Sequence, residues 1–89
     1  MKAIITVIGK DRVGIIAEIC TLLAAKSVNV LDISQTVMQE NFTMTMLVDA
    51  SACRDAFADL ADELKAAGDK MGLAIRAQRE DIFNAMHRI

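Results

Sequence analysis

Asp11 and Arg12 place a carboxylate and a guanidinium side by side in the stretch Gly9-Lys10-Asp11-Arg12-Val13-Gly14. This polar loop lies between a β-branched run (Ile4, Ile5, Val7, Ile8) and an apolar run that starts at Ile15. It marks a strand turning sharply into a helix. The first N–H groups of a helix have no partners within it, and its dipole puts partial positive charge at that end, so the junction suits a small anion such as a carboxylate. Asp11 serves either as a contact for a ligand ammonium or as a cap on those N–H groups. Arg12 either grips a carboxylate through its planar fork or makes a solvated surface contact of little energetic weight. Asn29, a polar amide between the apolar Val28 and Val30, is a turn residue or a ligand handle.

The other reactive side chains form no catalytic set. His87, the single histidine, stands two residues from the end and reads as a helix-terminus surface residue. Cys20 and Cys53 are the two cysteines; widely separated and set in helical patterns, they read as small hydrophobes rather than as a disulfide or a zinc cluster. No Ser/His/Asp set, Cys/His pair or glycine-rich phosphate loop is visible, so no metal, cofactor or nucleotide chemistry is expected. Six methionines suit adaptable packing, and Met38 on the outer face of its strand suits an interface. Arg76, Arg79 and Arg88 read as solvated or inter-subunit.

The elements that must position the loop follow from hydrophobic spacing. Ala3 to Ile8 is expected as a central strand buried on both faces. Ile15, Ile16, Ile19, Cys20, Leu22 and Leu23 recur at helical spacing from Gly14 to about Lys26. After Ser27-Val28-Asn29, a half-exposed strand from Val30 to Gln39 points Leu31, Ile33 and Val37 inward with Gln35 the polar exception, and Asp32, Ser34 and Thr36 outward. A tight turn at Gln39-Glu40-Asn41 leads to a strand with Phe42, Met44, Met46 and Val48 on one face. Ser51 is expected to cap a second helix carrying Phe57, Leu60, Ala61, Leu64 and Met71, ended by Gly72 or a turn earlier by Gly68. Leu73, Ile75 and Ala77 give a fourth strand, and Glu80-Asp81 opens a short helix with Ile82, Phe83, Met86 and Ile89 on one side.

That order, βαββαβ plus a short C-terminal helix, implies an α+β ferredoxin-like sandwich: a four-stranded antiparallel sheet, both long helices on one face, first and third strands central. Residues 1–89 are expected to form a single domain. The second strand is then an edge that invites a second copy, and the terminal stripe needs the open sheet face or a partner subunit. A chain this small with a hydrophobic fraction of 54% gains much from self-association. The net charge of −2, with both signs interspersed, and three Phe without Trp or Tyr disfavour nucleic-acid and membrane partners. The apolar run before Gly9 is too short for a signal-peptide core or a bilayer span, so a cytoplasmic location is expected.

Gly9 to Ile19, Leu22-Leu23 and Val28-Asn29-Val30 together resemble the ACT domain, whose pattern is an Asp-Arg-Pro-Gly-like loop, an apolar helix and an Asn opening the second strand. Val13 stands where that pattern has proline. With its ending Glu80 to Ile89, the chain is similar to the small stand-alone ACT proteins of bacteria and archaea. The resemblance implies side-by-side pairing and an amino acid or similar effector bound between subunits. It places the carboxylate on backbone N–H groups around Arg12, Val13, Gly14 and Ile15, near Asp11, with Asn29 supplied by the neighbouring subunit. The implied role is a non-catalytic regulatory homodimer that passes the signal to a partner protein. Two alternatives stand beside it. One is an acylphosphatase-like hydrolase using Arg12 and Asn41, whose glycine-flanked aromatic loop is missing here; the other is a ligand-free interaction adaptor.

Overall fold

The computed structural model describes residues 1–81 and 84. Its elements are β1 (Lys2–Lys10), α1 (Ile15–Ala25), β2 (Asn29–Met38), β3 (Asn41–Asp49), α2 (Phe57–Met71) and β4 (Leu73–Arg79). The strands form one antiparallel sheet in the order β2-β3-β1-β4, the ferredoxin-like arrangement with β1 and β3 in the middle. Apolar side chains at strand spacing (Ile5 and Val7 on β1; Phe42, Met44, Met46 and Val48 on β3) meet Ile15, Ile19 and Leu23 of α1 and Leu60 and Leu64 of α2 in a single core.

Because both helices return to the same face, β1 is buried on that face alone. Ala3, Ile5 and Val7 are buried, Ile4 and Thr6 half-buried, and Ile8 is 51% exposed. This corrects the expectation of a strand covered on both sides. On β2 the register slips between Val30 and Asp32, leaving Leu31 as an extra residue at a bulge. Val30 therefore takes the inward place assigned to Leu31, while Ile33, Gln35 and Val37 stand opposite the inward Met46, Met44 and Phe42 as expected. Ile33 and Val37 nevertheless remain 39% and 50% exposed at the sheet edge.

The second helix departs from expectation at its start. It begins at Phe57 with Ala56 at the N-cap and no side-chain cap, whereas Ser51 donates through its hydroxyl and its backbone N–H to the Asp49 carboxylate and accepts from the Met1 ammonium at 2.6 Å. Ser51 thus secures the N-terminus beside β3 rather than a helix. Gly68 does not end α2 either: a Cβ there would lie 2.8 Å from the Leu73 carbonyl oxygen, so the missing side chain lets the helix press against β4. Gly72, in the left-handed region, closes the helix. Lys26, just past α1, reaches Asp55 at 2.9 Å and Glu63 at 2.7 Å, tying that end of α1 to α2 and the segment before it. The terminal stripe of Ile82, Phe83, Met86 and Ile89, with His87 and Arg88, lies outside the described residues.

Candidate functional site

The β1–α1 loop leaves the sheet beside the β2–β3 hairpin. Lys10 pairs with Asn41, and the backbone N–H of Asp11 donates to the Glu40 carbonyl at 2.7 Å. Gly14 then occupies the N-cap of α1 with φ 93°, ψ 0°, and no side chain caps the helix. A residue with a Cβ pays a steric penalty in this conformation, which glycine avoids. The first intrahelical bond runs from the Glu18 N–H to the Gly14 carbonyl at 2.9 Å. The N–H groups of the opening turn are thereby left without a capping side chain, at the positive end of the dipole.

They open into a cleft of about 500 Å³. Asp11, Arg12, Gly14, Ile15, Ile16 and Ala17 form one wall, and Gln35 and Val37 of β2 with Phe42 of β3 form the other. Ile15 and Phe42 are buried and supply an apolar base, while Gln35 brings a neutral amide. The cleft offers uncapped amides and Arg12 to an anion, the Asp11 carboxylate to a cation, and the apolar surface of Ile15, Val37 and Phe42. That combination is chemically suited to a small zwitterion.

The expected residues divide accordingly. Asp11, Arg12, Gly14 and Ile15 converge on the cleft; Val13, 96% exposed, does not line it. Asp11 is not the helix cap that was its alternative role, because the loop turns through Gly14 before the helix begins. Arg12 makes the surface contact rather than a free fork: its guanidinium nitrogens lie 3.3 and 3.4 Å from the two carboxylate oxygens of Glu18, and it also donates to the Val13 carbonyl. Asn29 is exposed and opposite Asp49, at the end of β2 remote from the loop, whereas Met38 opposite Asn41 is at the near end. A single chain therefore does not bring Asn29 to the cleft.

Sequence reasoning left out Ile16, Ala17, Gln35, Val37 and Phe42. Gln35 carried a signal, being the one polar residue in the inward row of β2. The others carried none, since an apolar residue at core spacing looks the same whether it lines a core or a cleft wall. Asn41, cast with Arg12 in the hydrolase alternative, is exposed at the hairpin and does not line the cleft. Among the described residues no group of His, Cys, Asp and Glu could hold a metal ion, and no helix is long and apolar enough to cross a membrane. Cys20 and Cys53 are half-buried and pack against the core.

Comparison with known proteins extends this picture. The family model for the ACT domain matches residues 2–78. A UPF0237 protein of Clostridium acetobutylicum is 55% identical over 89 residues, covering 100% of both chains. A UPF0237 protein of the archaeon Methanocaldococcus jannaschii is 49% identical over 88 residues, covering 99% of this chain and 98% of its own. The solved ACT domain protein from Streptococcus pneumoniae superposes with a TM-score of 0.83 at 42% identity, covering 98% of each chain.

Proposed function

The chain belongs to the ACT domain family, and on that premise we propose that it is a non-catalytic regulatory module that senses an amino acid or a closely related metabolite at a homodimer interface. ACT domains generally bind small-molecule effectors such as amino acids and often dimerise. The observation that carries the reading is the uncapped N-terminus of α1 opening into a cleft whose far wall is the edge strand β2. The effector carboxylate sits on the backbone N–H groups of Gly14 and Ile15 with help from Arg12, and its ammonium faces Asp11.

The second copy adds its β2 to the exposed edge. Antiparallel pairing of β2 with itself about a two-fold axis runs the Asn29 end of one strand alongside the Met38 end of the other. Asn29 of the second copy thus approaches the cleft of the first, and the half-exposed Ile33 and Val37 become part of a continuous floor. Effector and assembly are then coupled, because a ligand bound only by the pair stabilises the pair. The bound state passes to a regulated protein partner in the cytoplasm.

A thermal-shift screen of the full chain over the common amino acids tests this. At least one is expected to raise Tm, and Gly14→Val and Asn29→Ala are each expected to abolish the rise while leaving the ligand-free chain folded by circular dichroism. Shifts that persist in both variants would remove the proposed site.

A further inference from the structure

The middle of the sheet face turned away from the helices carries little charge. Register aligns three rows of four residues on it, from Asp32 to Gln78, from Ser34 to Arg76 and from Thr36 to Ala74. Within these rows the central strands contribute Ile4, Thr6, Ile8, Thr43, Thr45 and Leu47, none of them charged, and Ile8 is 51% exposed; Lys2 and Asp49 at one end and Lys10 at the other stand in the rows beyond. The solvent side of α2, by contrast, carries Asp59, Asp62, Glu63, Lys65, Asp69 and Lys70. A patch rich in β-branched side chains and poor in charge is the kind of surface that two sheets bury when they stack, about 10 Å apart with strands within about 30° of parallel.

Two charges stand in those rows, one of each sign, on opposite edge strands: Asp32 on β2 and Arg76 on β4. Among the described residues neither makes an ion pair. The Asp32 carboxylate accepts from the Ile33 backbone N–H, and the ion pairs among the described residues involve other groups. We infer that this open face is the contact surface for a second copy of the chain, stacked sheet on sheet about a two-fold axis parallel to the strands, with Asp32 of each copy facing Arg76 of the other.

The charges select that axis. A two-fold parallel to the strands lays β2 of one copy over β4 of the other, so Asp32 falls above Gln78, one row from Arg76 and within reach of its long side chain. The alternative in-plane axis, across the strands, lays each strand over its own counterpart and brings the two Arg76 guanidinium groups together. Like charges brought together in an interface are penalised and opposite ones fix the register. The contact is isologous, so the Asp32–Arg76 pair forms twice. It uses the side of the sheet opposite the cleft, so it neither requires nor excludes pairing through the β2 edge.

Sedimentation equilibrium on four full-length proteins tests this: wild type, Asp32→Arg, Arg76→Asp and the double reversal. Both sites are exposed, so folding is retained. Each single reversal sets like charges against each other and is expected to weaken one association step by about tenfold or more, while the double reversal restores it. Added salt narrows the difference between singles and wild type. Single reversals that leave the association constant unchanged would overturn the inference, as they would if the C-terminal segment of the same chain covered the face. Single reversals that weaken association with no recovery in the double variant would overturn the Asp32–Arg76 register. Thermal shifts measured on the same proteins report on the cleft independently.

Discussion

At the scale of single residues, Gly14 makes the turn into α1, and what it supplies is conformation rather than space. A Cβ built there meets nothing within 4 Å, yet φ is 93°. Gly14→Ala is therefore expected to fold and to lose about 1–2 kcal/mol in urea unfolding; an unchanged midpoint would contradict the left-handed cap. Asp49 gives a pH dependence. The Ser51 hydroxyl and backbone N–H, followed by the Met1 ammonium, hold its carboxyl below the usual aspartate range. A folded-state pKa below the unfolded one contributes stability that is present above the ordinary carboxylate range and disappears as pH falls through the folded value. Asp49→Asn should thus flatten the acid limb of a Tm-against-pH curve; an identical limb would contradict the contact. The role of Gly14 could be read from a glycine placed between polar loop residues and an apolar helix. The Arg12–Glu18 pair could not, because several acidic residues stand within reach of a long flexible side chain and only the turn at Gly14 decides among them.

At the scale of elements, close approach of helix to strand fixes the structure more tightly than propensity does. Gly68→Ala improves the intrinsic preference for helix but drives a Cβ into the Leu73 carbonyl and the Ile75 side chain. A net loss of about 1–3 kcal/mol is expected in chemical unfolding, and a gain would show that α2 and β4 do not pack as described. Leu64→Ala, removing a fully buried side chain, should cost about 2–5 kcal/mol by the same measurement. The Lys26 tie stays charged: hydrogen bonds from Glu63 first and Asp55 second raise its pKa above the ordinary lysine value. Its contribution is complete below that value and is lost only as pH rises through the higher folded one. The alternation of β3 and the apolar spacing of both helices made these elements legible. The bulge at Leu31 and the late start of α2 were not, since a one-residue slip and an uncapped helix leave the hydrophobic pattern nearly unchanged. Ser51 misled for a related reason: a serine ahead of an apolar run also makes a good anchor for a nearby ammonium.

At the scale of the whole molecule, the sheet has two unfinished regions, the β2 edge beside the cleft and the face away from the helices. The element order and the order of strands followed from alternation and from the handedness of the crossovers. Half of the cleft did not, because Gln35, Val37 and Phe42 come to the β1–α1 loop only through the register of two other strands. We propose that an effector occupies this cleft and that a second copy completes it. The most direct test is sedimentation equilibrium of the full chain with and without the amino acid that raises Tm most. If the pair alone binds the ligand, association tightens by RT ln(1 + [L]/Kd) per site, about 2.7 kcal/mol at a hundredfold excess over Kd, and Asn29→Ala removes the effect. A monomer at micromolar concentration in both conditions, or an association constant that does not respond to the amino acid, would contradict the account.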